Sequence, residues 1–438
     1  MTILIEGGTV VTLGKENRII YPGGVVVEGS NVIDIGPVEE MKIKYSSAES
    51  LDAREKIIMP SFINCHHRLY STFARGLDIP GRLPNSFSEV LEALWWKLDR
   101  VLFQEAIYYS SLIPLMECAR AGVTAIINHH ESQSYQIGSL DEIKKAVDEM
   151  KMKAVLCLGS SDRFGKGERG IEENERFLRK DYTNVKGMVG LHASFTVGDE
   201  TLNKSVKLAD EFNVGINVNC AEDTGDQNKT KEKFSKSVVQ RFQDAGVLGE
   251  KCILNHCVHL DENEMNMIRQ NNCSVIHNPE SNMCNAVGYS KIMDMISKGV
   301  NAGLGTDGIS SDMLSQLRSA FLLARHEYKD TNIGLKEISD IFLNGNKKIL
   351  NKVTGWNVGS ISPGCTADII TIDYDAPTPL NNENFLNHLL FGIVYAPVDT
   401  TICSGNIVMR HKKITCIEEE EIYVRARKIA QKVWDRIS

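Results

Sequence analysis

Short apolar runs recur along the middle of the chain, and each gives way to a stretch with helical spacing. The runs fall at 58–67, 123–130, 153–160, 186–194, 214–222, 251–259, 273–279 and 300–308. Each is too short for a helix and too apolar for a strand with one wet face, so each reads as a strand buried on both sides. Helical candidates such as "FQEAIYYSSLIPLMECARAG" (103–122) and "SSDMLSQLRSAFLLARHEYK" (310–329) lie between them. Eight strand–helix units over roughly 300 residues predict an α/β fold of the (β/α)8 TIM-barrel type.

The two ends of the chain have a different texture. "ILIEGGTVVTL" and "GGVVVEGSNVIDIG" alternate at period two and are broken by glycine pairs, and the same pattern returns in "GCTADIITIDYD" and "TICSGNIVMRHKKIT". Residues 1–57 and 359–415 are therefore expected to build one small β-sandwich domain, with 58–358 as the barrel. The last stretch, 416–438, reads as an amphipathic helix packed on the barrel, with acids at its start where the helix dipole favours them.

Polar residues mark the C-terminal ends of nearly all the predicted strands: His66, His129, His192, Glu222, His256, His277 and Asp307. In a barrel these ends form the floor of the site. One such histidine would suit a satisfied buried imidazole, but the repetition predicts a functional pocket.

Composition narrows the partners. The chain has 438 residues, 24% charged, with a formal net charge of −8. Nothing favours nucleic acid, and no apolar run has the roughly 20 residues that a membrane span needs. The N-terminus reads as a strand and not as a signal peptide. Eleven cysteines without a CxxC pair point to reduced thiols in a cytoplasmic protein.

The residues at the strand ends have definite chemistry. Asp307, in "GTDG", can take a proton from a nucleophilic water. Glu222 can donate and accept a proton, and His256 can hydrogen-bond or ligate a metal. His66 opens an His-x-Arg pattern in "INCHHRLY", so Arg68 stands where a second metal-binding histidine would sit. Strand parity turns the neighbouring His67 away from the pocket. His129 and His130 are expected behind the site rather than in it. "RGLDIPGRLP" (75–84) is predicted to be a mobile loop after the first strand, which makes Arg75 a candidate lid residue meeting substrate. His277, before "NPES", is expected to order that turn or touch substrate.

"MPSFINCHHRLYSTFARG", "AEDTGD", "LNHCVHLDENE", "VIHNPESNMCNAVGYS" and "AGLGTDGISSDM" together resemble the amidohydrolase superfamily, in its branch of deaminases acting on N-heterocycles and halogenated triazines. The resemblance covers almost the whole chain. It implies hydrolytic deamination of a small N-heterocycle, purine-derived by association, and one divalent metal ion, zinc or iron. It implies His66 and Asp307 as metal ligands, His256 on the nucleophile or substrate, Glu222 as the acid, and His192 lining the pocket. Dimers are common among such proteins, so a homodimer is expected. Two usual ligand positions are changed, to Arg68 and Asn219. Two readings follow. In one, His66, His256 and Asp307, with Asn219 as a weaker donor, hold the ion while Arg68 turns aside to substrate. In the other, Arg68 pairs with Asp307 or Glu222, replaces the ion's charge, and the protein binds a small molecule or partner without hydrolysis.

Overall fold

In the computed structural model, which describes residues 2–78 and 84–437, the central runs form eight parallel strands in sequence order. They are β1 (Phe62–His67), β2 (Val123–His130), β3 (Lys153–Ser160), β4 (Val189–Ala193), β5 (Ile216–Cys220), β6 (Ile253–His256), β7 (Ser274–His277) and β8 (Asn301–Leu304). Almost every residue of these strands is buried, as expected where helices cover the outside and side chains fill the inside.

β8 closes on β1 through a parallel bridge between His67 and Asp307. The Arg68 N–H donates to the Asp307 carbonyl (3.1 Å), and the Thr306 and Asp307 N–H groups donate to the His66 carbonyl (3.0 and 2.9 Å). Deeper in the seam the Asn346 amide bridges both strands, donating to Ile63 O (2.7 Å) and Leu304 O (3.0 Å). Gly305 allows this approach, since a Cβ there would lie 2.7 Å from His66 Cβ.

The run at 58–67 is two strands and not one. Ile57–Pro60 pairs with Ile369–Ile372 and Thr9–Val11 outside the barrel, and β1 begins only at Phe62. Met59 and Ile63 share one apolar texture across that boundary, so composition could not mark it. The run at 186–194 also divides, Val185–Gly187 pairing with β3 before β4 starts. Both chain ends form a sandwich of a four-stranded and a seven-stranded sheet. Its core joins Ile3, Ile5 and Val25 of one sheet to Ile58, Ile369 and Ile402 of the other. The helix Glu419–Trp434 packs on Gln104–Arg120, and Trp434 Nε1 donates to Phe73 O (2.7 Å). No helix among the described residues is long and apolar enough to cross a membrane.

Candidate active site

The C-terminal ends of the strands surround a cavity lined by Glu222 and Asp307, with His66 and His256 beside Asp307. Unusual backbone places three of these residues. His256 (φ 72°) and Asp307 (φ 52°) are left-handed, as is Ala221 (φ 46°), immediately before Glu222. Non-glycine residues rarely adopt this conformation and hold it only where the surroundings impose it. At β1 the same job falls to a register shift against β2 between Asn64 and His67, which sets the direction of His66.

One ligand atom each from His66, His256 and Asp307 lies within 4.8 Å of the other two. His66 Nε2 is 3.2 Å and Arg68 Nε 2.9 Å from the same oxygen, Asp307 Oδ1. Neither contact is aligned as a hydrogen bond, and Asp307 Oδ1, His66 Nε2 and His256 Nε2 are all buried without a hydrogen-bond partner among the described residues. Their supports are well defined. His256 Nδ1 lies 2.9 Å from Asn282 Oδ1, an acceptor, so Nδ1 carries the proton and Nε2 presents its lone pair. Ser281 donates to Asp307 Oδ2 (2.7 Å). The segment "NPESNMC" thus supports the two groups on either side of it, a role its sequence did not reveal.

Burial sets the protonation states. It pushes the His66 imidazole down to about 4, against the opposing pull of Asp307. Burial also works to raise the Asp307 carboxyl, but His66 and Arg68 outweigh it and hold Asp307 well below the usual range. Glu222, 3.6 Å from His256 Nε2, is raised by burial despite His256 beside it. The neutral His66 imidazole, the ionised Asp307 carboxylate and the His256 ring, with inward atoms that no hydrogen bond among the described residues uses, are a donor set suited to a divalent cation with a position left open. Asn219 lines the same cavity with its Oδ1 buried and without a hydrogen-bond partner.

His192 lines the cavity. Its Nδ1 contacts Thr196 Oγ1 (2.9 Å), whose proton goes to Ala193 O, so Nδ1 is the donor and Nε2 is left as an acceptor. Arg68 lines the cavity too, and its Nη1 donates to Tyr70 Oη (3.3 Å). Two expected substrate contacts do not line this cavity. Arg75 is not among the lining residues, because its guanidinium forks onto Glu117 of the helix behind (Nη2–Oε2 2.8 Å). Of the loop at 75–84, residues 79–83 lie outside the described residues. His277 is fully buried and also absent from the lining, its ring lying against Tyr289. His67 is turned away from the cavity, towards Ser311.

The sequence analysis missed one wall. Residues Phe87–Asp99 form a helical stretch with a π turn at Leu91–Trp95, a distortion frequent at functional sites. Phe87, Leu91, Trp95, Trp96 and Asp99 line the cavity from this stretch, facing Phe195. The adjacent tryptophans were the available signal, but only the folded chain brings them over the strand ends.

The family model described as Amidohydrolase family matches residues 57–408. A 5'-deoxyadenosine deaminase of Methanocaldococcus jannaschii is 30% identical over 421 residues, covering 92% of this chain and 95% of its own length. A 5-methylthioadenosine/S-adenosylhomocysteine deaminase of Pelotomaculum thermopropionicum is 28% identical over 99% of both chains. Among solved structures, a zinc-bound adenosine deaminase from Xanthomonas campestris superposes with a TM-score of 0.87 at 20% identity, covering 98% of each chain. An atrazine chlorohydrolase from Arthrobacter aurescens complexed with zinc superposes at 0.82 and 17% identity, covering 98% of this chain and 100% of its own. With the barrel, the two-ended sandwich and the strand-end donors, these matches establish that the chain belongs to the amidohydrolase family.

Proposed function

We propose that this protein is a metal-dependent aminohydrolase that removes an amino group from a purine-like N-heterocycle. The observation that carries the reading is the convergence of three unpartnered donor atoms, His66 Nε2, His256 Nε2 and Asp307 Oδ1, beneath a cavity walled by aromatic rings. The names of the relatives, deaminases of adenosine derivatives, supply the substrate class. His66, His256 and Asp307 would hold one divalent ion, zinc or iron, with Asn219 as a further oxygen donor. When bound, such an ion supplies Lewis acidity that lowers the pKa of a water towards neutrality.

The remaining roles belong to the chain. Glu222, raised by burial, keeps a proton that it can deliver to a ring nitrogen, and takes it back as ammonia leaves. Asp307 serves as the base beside the nucleophile. Trp95, Trp96 and Phe195 offer faces against which a flat heterocycle packs, which excludes water. His192 Nε2 can accept a hydrogen bond from the substrate, and Arg68 can donate one. We place the protein in the cytoplasm, in keeping with its eleven free thiols, and propose that it works as a homodimer on small molecules.

One contact favours a second reading. Arg68 Nε already lies 2.9 Å from Asp307 Oδ1, as it would in a barrel that uses a guanidinium in place of an ion and binds a heterocycle without hydrolysing it. Metal analysis of protein purified without chelator, together with ammonia release from 5'-deoxyadenosine, separates the two. About one zinc or iron per chain, lost along with ammonia release in His66→Ala, is the expected result. A metal-free protein that releases no ammonia and melts higher with a purine ligand would transfer the conclusion to the second reading.

A further inference from the structure

Arg68 and a metal ion would require the same oxygen. Asp307 Oδ2 is committed to Ser281 at 2.7 Å, which holds the carboxylate in place and leaves Oδ1 as the atom facing His66 and the cavity. The guanidinium approaches that oxygen to 2.9 Å, yet the N–H direction misses it, so the ion pair lacks the alignment that makes arginine–carboxylate contacts strong. The other end of the guanidinium donates, among the described residues, to Tyr70 Oη at 3.3 Å. A second carboxyl group, Glu222, lines the same cavity. Arg68 therefore has one loosely engaged station on Asp307 and a further acceptor within the wall of the same cavity.

We propose that Arg68 is a latch on the metal site: it competes with a divalent ion for Asp307 Oδ1, and it must swing off that oxygen, towards Glu222 and the cavity, before the ion can be held. The inference rests on the metal-dependent reading above. Two cations sharing one buried carboxylate oxygen repel each other strongly, because little water screens them. The latch consequently lowers affinity for metal and frees a guanidinium into the substrate space whenever metal binds. A loaded site is thereby also a site with an extra hydrogen-bond donor facing the ligand, which couples cation binding to recognition of a ring carbonyl or ring nitrogen.

Zinc alone is the probe, with affinity read by competition against a chromophoric chelator. Arg68→Gln, which keeps a polar side chain without the charge, is expected to bind zinc at least ~10-fold more tightly than the unsubstituted chain. In the unsubstituted chain, the Arg68 Nε–H resonance, assigned by its loss in Arg68→Lys, is expected to move as zinc is added. This second readout stands even where Arg68→Gln fails to fold. Zinc held equally well, or less well, by Arg68→Gln, or a resonance that stays in place on loading, overturns the latch. If zinc is held by both proteins alike and lost with His66→Ala, only the latch falls. If zinc is held by neither, or is indifferent to His66→Ala, the metal-dependent reading falls with it.

Discussion

Asp99 and Glu131, on one side of the barrel mouth, share a single guanidinium: Arg163 Nη2 lies 3.1 Å from Asp99 Oδ2 and 3.0 Å from Glu131 Oε2. Across the cavity, Asp307 has Arg68. Both arginines neutralise buried acid, but they are held differently. Arg163 makes aligned hydrogen bonds to both carboxylates and to Ser161 Oγ (3.0 Å), and stacks over Trp96 with 5.0 Å to the ring centroid. Arg68 is close to its acid and misaligned. In the first cluster burial pushes Glu131 up to about 8, Arg163 opposing and Asp99 assisting. Both leave buried atoms without a hydrogen-bond partner among the described residues: Asp99 Oδ1, Glu131 Oε1 and Arg163 Nη1 in the first, Asp307 Oδ1, His66 Nε2 and His256 Nε2 in the second. What differs is the alignment of the arginine with its acid, and not the number of satisfied atoms.

The largest expected effect breaks the Asp307 side. Asp307→Asn keeps the shape and the Ser281 contact but removes the carboxylate charge. Ammonia release should fall by roughly 10³-fold or more, since both the cation's ligand and the base are lost. The melting temperature should change little, because no aligned ion pair is broken. Activity within tenfold of the original chain would remove Asp307 from the centre of the proposal.

Breaking the Arg163 side should instead cost stability. Arg163→Met leaves two buried carboxylates without their cation, and removing one partner of a buried pair typically costs ~3–5 kcal/mol. Urea denaturation at neutral pH measures it. Arg68→Gln is expected to cost less than half as much, as Asp307 retains Ser281. Equal losses for the two variants would mean that the contrast in alignment has no energetic content.

How much of this was legible in the sequence follows from the same contrast. His66, Glu222, His256 and Asp307 could be read because each ends a strand, or follows one closely, and the barrel topology gathers strand ends whatever lies between. For Arg75 and His277 that reasoning gives position along a strand or loop and not the direction of a side chain. Arg75 finds Glu117 on a helix more than forty residues on, and the His277 ring lies against Tyr289. The wall of Trp95, Trp96 and Asp99 had no strand to announce it. Its helix is placed by tertiary packing, and its π turn shifts the residues that face inward. The Arg163 cluster was invisible for a related reason: Asp99, Glu131 and Arg163 come from three separate strand–helix connections, none of them carrying a recognisable motif.

The smallest effect sharpens the comparison through a proton. Asp226 is buried, with Oδ2 accepting the Ala221 N–H at 2.8 Å and Oδ1 facing Thr230. Burial pushes its carboxyl up to about 7, with Glu222 adding to the rise. In the unfolded chain the same group titrates near ~3.9. Between those values the folded protein holds a proton that the unfolded chain has released, so stability is greatest below the unfolded pKa and declines as pH rises towards 7, by at most ~1.4 kcal/mol per pH unit for this one group. Asp226→Asn preserves an acceptor for the Ala221 N–H and cannot ionise. Urea midpoints at pH 5, 6 and 7 should therefore fall more steeply for the unsubstituted chain than for Asp226→Asn, the gap between them widening with pH. Other titrating groups are common to both proteins and cancel in the difference. Parallel lines would show that Asp226 is ionised throughout, and that the backbone N–H of Ala221 stabilises a buried charge beside Glu222 without help from a proton.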